Sequence, residues 1–278
     1  WTAQLSAFTV DEIITNLQVP AFKYGPNTQG GNVFFAREGE QLGTFYGFDY
    51  VRDCQDLQTT FGIGQSACQS NFDVNSHGYL VWVGEGNDTR DGPGPDGTVQ
   101  TSDDLWGSTG TVGGETFEWG QPLDASRVDE LCLENNPDAT EEECTTDFLP
   151  LGSSNADLNL SLSNNVNIEG FRVYALLDAA LGYEVYNGTA QWSNGPKQRG
   201  SMTDYKGAEA VGQPEGLKKP TVYYTTWTYH RNEVNDFFVE DGSHLKLREA
   251  SLSYELPASA LQAIPFAGST FDAARISV

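Results

Sequence analysis

Polar and apolar residues alternate strictly between Ala250 and Leu256. Ala250, Leu252, Tyr254 and Leu256 are apolar, while Ser251, Ser253 and Glu255 between them are polar. A period of two puts one set on each face of a strand. Just upstream, Leu245 and Leu247 hold the opposite parity, alternating with His244, Lys246 and Arg248. The phase slips by one at Arg248-Glu249, as at a β-bulge or where a strand changes environment. Pro257 ends the ladder because it has no N–H to donate. Alternation of this kind fits a soluble β-sandwich and a membrane barrel equally.

Other stretches follow the same rule. Trp1, Ala3, Leu5 and Ala7 share one face of a first strand, with Asp11 to Asn16 as its end and turn. Residues 17–48 are rich in Gly and Asn around a short aromatic strand, Val33-Phe34-Phe35. From Asp49 to Ser154 regular pattern is confined to Tyr79–Val83, which predicts a long functional or partly ordered surface loop, compatible with a small separate subdomain closed by disulfides. Leu158, Leu160 and Leu162 then alternate with Asn159, Ser161 and Ser163. Asn164-Asn165 is expected to turn the chain, because asparagine tolerates positive φ. The return strand sets Phe171, Val173, Ala175 and Leu177 against Arg172, Tyr174 and Asp178. A second long excursion, 182–235, carries Tyr183, Tyr186, Trp192, Tyr205, Tyr223, Tyr224, Trp227 and Tyr229. Such rings can stack on sugars, line a membrane interface or form a loop core. After the turn at Ala258–Gly268, Ala274, Ile276 and Val278 begin a further apolar face. The chain opens on Trp1 without a leader and closes in mid-pattern, which predicts a piece of a longer protein.

Composition narrows the class. The 278 residues include 30 glycines and 12% aromatics, helix-period segments are scarce, and the expected class is all-β. A formal net charge of −24 excludes nucleic acid as a partner, since phosphate contacts need a basic face. There is no apolar run long enough for a transmembrane helix, but barrel strands need only about 9–11 alternating residues.

Candidate chemistry is sparse. His77, His230 and His244 lie far apart, no nucleophile elbow or phosphate-binding fingerprint occurs, and the expectation is a protein that is not an enzyme. Cys54, Cys68, Cys132 and Cys144 cluster in one loop-rich third. Their even number predicts two disulfides in an oxidising compartment, most simply Cys54–Cys68 and Cys132–Cys144, although three pairings are open. A zinc site is the rival, and it lacks C-x-x-C spacing. Asp88, Asp91, Asp96 and Asp103 form an acidic, glycine-punctuated loop. Hard oxygens in that setting suit calcium, and a solvated acidic loop fits the same residues.

The run VEDGSHLKLREASLSYELP, 239–257, resembles the C-terminal signature of SusC/RagA-type TonB-linked outer-membrane proteins, in which an acidic-Gly segment leads into Leu-x-Leu-Arg and Leu-x-Tyr-x-Leu-Pro. Three more stretches resemble that family in the same order. REGEQLGTFYGF, 37–48, matches its G-x-P-(I/L)-G-x-(F/Y)-Y-G segment, with Gln41 where Pro is usual. Asp96-Gly97-Thr98-Val99 with Asp103 matches its D-G-x-(I/V)-x-x-x-D loop, and GYEVYN, 182–187, matches a barrel strand entering an outer loop.

The resemblance implies antiparallel strands of a transmembrane β-barrel, incomplete in this chain, with long extracellular loops. It implies a cell-outer-membrane location among lipid, import of oligosaccharides or peptides, and TonB and a SusD-like lipoprotein lid as partners. Residues 1–48 are then barrel strands with a connecting loop, 49–155 an extracellular region closed by disulfides, and 156–278 barrel hairpins. The competing expectation is a secreted β-sandwich binding module, a calcium-dependent lectin or adhesin. Its apolar faces at Leu158–Leu177 and Ala250–Leu256 would pack on each other.

Overall fold

The computed structural model describes residues 1–28, 31–85, 108–194, 222–229, 233–263 and 274–278. Along the chain the strands are β1 Thr2–Phe8, β2 Phe22–Thr28, β3 Gly31–Ala36 and β4 Thr44–Phe48. Helices α1 Cys54–Phe61 and α2 Gln65–Asn71 follow, then β5 Phe72–Val74, β6 Leu80–Trp82, β7 Thr109–Val112, β8 Glu115–Glu118 and β9 Arg127–Val128. Helix α3 Glu130–Asn135 precedes β10 Thr145–Thr146, β11 Phe148–Ser153, β12 Leu158–Ile168, β13 Phe171–Leu181 and β14 Glu184–Tyr186. The chain closes with α4 Gly188–Asn194, β15 Val239–Asp241, β16 His244–Glu255, α5 Ala258–Gln262 and β17 Arg275–Ser277. The class is mostly β, with antiparallel sheets that stay open among the described residues. No described helix is long and apolar enough to cross a membrane.

The chain divides into two compact units. The first joins 1–12, 154–185 and 241–278 in one sheet of order β1-β12-β13-β16-β17. Its strands are long: β12 and β13 have 11 residues each and β16 has 12, against about 5–6 in an average globular strand. Asn164 and Asn165 do not turn the chain. They lie inside β12, opposite Ala175 and Tyr174. The turn falls at Glu169-Gly170, with φ of 48° and 85°. Two consecutive positive φ values make the tight hairpin whose twist matches its strands, and glycine reaches that region without a Cβ penalty. Asparagine only permits a turn; the apolar alternation through Val166 and Ile168 carries the strand onward.

The second unit is built from two inserts, 13–153 and 186–240. Strands β2–β4 belong to it, forming with β11 a four-stranded sheet of order β11-β4-β3-β2 instead of extending the long sheet. Its main core gathers Val51, Leu57, Ile63, Cys68, Phe72, Leu80, Phe117, Leu123 and Leu149. Helix α1 starts where Asp53 accepts hydrogen bonds from the N–H groups of Gln55 and Asp56, and it ends at Gly62 in the left-handed region. Of the two compatible readings of 49–154, this is the small disulfide-closed subdomain, with a packed core of its own. Helices too short to show a period, joined by disulfides, hide such a core from pattern reading.

Candidate functional site

The long sheet carries a chemical asymmetry that its register explains. Opposite Leu177 lie Leu162 on one side and Leu247 on the other, and Leu162 pairs onward to Leu5. One step along, Ala7, Leu160, Ala179 and Leu245 share a row, and at the turn end Ile168, Phe171, Tyr254 and Ile276 share another. Residues directly opposite in a ladder point to the same face, so these rows make one apolar surface. The alternate rows are polar: Ser6, Ser161, Asp178 and Lys246, or Thr2, Asn165, Tyr174 and Ser251.

The phase slip at Arg248 is resolved by a bulge. Leu176 opposes Glu249 and Leu177 opposes Leu247, so Arg248 has no opposite residue. One extra residue restores parity. Leu245 and Leu247 therefore join Ala250, Leu252 and Tyr254 on a single face. The displaced Arg248 guanidinium donates through Nε to Asp178 Oδ2 at 2.8 Å, on the polar side.

That apolar face is open. Leu5, Leu245 and Leu247 are 69%, 71% and 61% exposed, and Trp1, Ile168, Val173, Leu252 and Ile276 are exposed too. The stretches Leu158–Leu177 and Ala250–Leu256 lie side by side in one sheet, so they do not pack face to face as a sandwich would require. Full burial of each such side chain is worth about 1.5–3 kcal/mol. A contiguous surface of this size marks a site of contact with something apolar. Asn164 is the polar interruption on it, and the Trp1 indole donates to its Oδ1 at 2.7 Å.

Connections at the two ends differ. Phe8 lies opposite Asn159, Leu181 opposite Leu158, and His244 opposite Ala180. Both inserts therefore leave and rejoin the sheet at one end. The other end holds the Glu169-Gly170 turn and the paired ends of β16 and β17, Glu255 lying opposite Arg275.

No protein-family model matches the chain, and no curated protein does. Solved structures do give matches. The chain resembles part of the RagAB peptide transporter. That alignment covers 99% of this chain and 22% of that one, at 15% identity and a TM-score of 0.44. A second match, the RagAB peptide importer in the closed-closed state, covers 99% and 23%, at 14% identity and a TM-score of 0.43. The chain spans less than a quarter of the length of the RagAB chains it matches.

The remaining candidate residues are placed as follows. Cys54 is joined to Cys68 and Cys132 to Cys144. With all four sulfurs paired, the zinc alternative has no thiolate to use. Asp88, Asp91, Asp96 and Asp103 lie outside the described residues, as do His230 and Tyr205. Of the aromatic excursion, Tyr223, Tyr224 and Tyr229 are buried and only Trp192 is half exposed, so the described rings are chiefly insert core. His77 Nδ1 lies 2.9 Å from Tyr223 Oη, and Asn75 Nδ2 donates to the same hydroxyl at 3.0 Å.

Pattern reading missed a charged cluster in the second unit. Arg52 pairs with Asp236 and lies 3.7 Å from Asp49 Oδ1, while Arg127 bonds Asp49 Oδ2 at 2.8 Å. Tyr79 donates to Asp236 Oδ2 at 3.0 Å. Burial pushes the Tyr79 hydroxyl far above its usual range, and neighbouring Asp236 adds to the shift. These residues are scattered over the sequence without a motif spacing, so no local signal announces them.

Proposed function

We propose that the five-stranded sheet is a segment of an outer-membrane β-barrel of the SusC/RagA type, with its Leu-rich face toward lipid and its Ser/Asn/Asp/Lys face toward an aqueous lumen. The observation that carries this is the Arg248 bulge, which gathers Leu245, Leu247, Ala250, Leu252 and Tyr254 onto one exposed face. Strand length agrees. At about 3.3 Å per residue, an 11-residue strand is about 36 Å long, and a tilt of about 40–45° brings it near the roughly 25 Å of a barrel's apolar band. Loop asymmetry agrees too, since outer-membrane barrels have short turns at one end and long loops at the other. The inserts, the first of which carries both disulfides, then stand in the oxidising exterior.

On this reading, and on the four motif resemblances, the chain is part of a TonB-dependent receptor that imports oligosaccharides or peptides with a SusD-like lipoprotein. The chain's own part is to form lipid-facing wall and external loops; it is not an enzyme. The test is positional. A fluorescent unnatural amino acid, with emission separate from that of the six native tryptophans, placed at Leu247 or Leu252 of the vesicle-reconstituted protein should be quenched by lipids brominated in their tails. At Lys246 and Ser251 an aqueous quencher should win. Aqueous quenching at 247 and 252, with no effect of brominated tails, would reject the barrel.

A further inference from the structure

The charged cluster of the second unit joins its two inserts. Asp49 follows β4 and Arg52 precedes α1, both in the first insert, while Asp236 lies on the return segment of the second. Asp49 and Asp236 are 13% and 16% exposed at their side chains, and Arg52 stands between them. The groups around Asp49 are Arg52 and Arg127 as cations, Asp236 as the facing carboxylate and the Tyr50 N–H, with the Tyr79 hydroxyl on Asp236 beyond. Asp124 adds a further carboxylate, with its backbone bridged to Tyr50. The segment they grip is also held elsewhere: Phe48 N–H donates to Val234 O at 2.9 Å, Asn187 N–H donates to Phe238 O at 2.7 Å, Gln191 Nε2 donates to Glu233 O at 2.6 Å, Lys23 pairs with Glu233 at 3.7 Å, and the His77 ring packs on Phe237.

We propose that Asp49, Arg52 and Asp236 form a clasp that fastens the second insert's return segment to the first insert more tightly in acid than at neutral pH. Asp49 and Asp236 are both little exposed and share Arg52, so ionising both in the closed cluster costs desolvation and mutual repulsion that opening into water relieves, against the attraction of Arg52 and Arg127. Burial, and then Asp236, raise the Asp49 carboxyl above its ordinary value, despite the Tyr50 N–H and the two arginines. A carboxyl whose closed-state pKa is raised takes up its proton more readily when closed. Closing is therefore favoured as pH falls through that raised value, and the gain is complete below the ordinary value of about 3.9.

Hydrogen exchange tests this in the intact protein, with protection factors of the 234–239 amides corrected for intrinsic rate across pH 7.5 to 4. Wild-type protection should rise as pH falls. Asp49→Asn mimics the protonated carboxyl and should show the high value throughout, with a flat profile. Asp236→Asn, which removes the facing charge but also weakens the grip on Arg52 and Tyr79, should lower protection at every pH. Glu240→Gln, outside the cluster, should follow wild type. Protection that falls or stays level on acidification, or an Asp49→Asn profile that tracks wild type, would overturn the clasp. Neither result bears on whether the sheet faces lipid.

Discussion

At the scale of single residues, close approach and covalent links decide the second unit. Gly47 in β4 passes so near the return segment that an added Cβ would sit 2.0 Å from Val234 O. Backbone cannot yield as a flexible side chain can, so Gly47→Ala should destabilise the unit by about 1–3 kcal/mol, the usual cost of overpacking. Chemical denaturation that finds the variant as stable as wild type would contradict this contact. The disulfides close short loops, with separations of 14 and 12 residues. Each is worth about 3 kcal/mol in the chain-entropy model. Replacing Cys54 and Cys68 together by serine should cost about that much and more, because Cys68 is fully buried in the core and serine leaves a hydroxyl there. Unfolding free energies from denaturant titration would measure it, with a steeper slope because the uncrosslinked chain exposes more surface when unfolded.

At the scale of elements, β16 is the informative strand. Its bulge reconciles two stretches of opposite parity. Deleting Arg248 removes the extra residue and forces a choice: either Leu245 and Leu247 or Ala250, Leu252 and Tyr254 must turn to the polar face. On the proposed barrel reading, the expected outcome is loss of heat-resistant folded protein in the membrane fraction, whereas Arg248→Ala, which keeps the residue count, folds. Equal behaviour of the two variants would mean that parity is not what the bulge preserves. On the same strand, Leu252→Arg should cost about 2–4 kcal/mol if it lies near the bilayer midplane, and Ser251→Arg much less. Urea titration of the vesicle-bound protein separates the two.

At the scale of the whole molecule, two units of different character share one chain. The inserts bury a conventional core of Val51, Leu57, Cys68, Phe72 and their neighbours, while the long sheet leaves its leucines outside. A sheet that exposes Leu5, Leu245 and Leu247 to water is an aggregation hazard. The intact protein should therefore require detergent or lipid to stay monodisperse, and size-exclusion chromatography in plain buffer should show aggregates. A monodisperse species in buffer alone would point to a water-exposed or covered face and against a lipid-facing wall.

The sequence by itself determined the alternation, and with it which residues share a face within each strand. The slip at Arg248 was visible because parity is a local property. So were the cysteines' proximity in sequence and the end of β13 before Gly182. Three things were decided only by tertiary structure. The register set Leu5, Leu162, Leu177 and Leu247 in one row, because pairing partners lie up to the length of an insert apart. The hairpin turned at Glu169-Gly170 and not at Asn164-Asn165, because strand pairing along the full ladder outweighs the local preference of two asparagines. The clasp of Asp49, Arg52 and Asp236 exists only where two distant inserts fold against each other, and charge pairing across such a separation leaves no periodic trace in the chain.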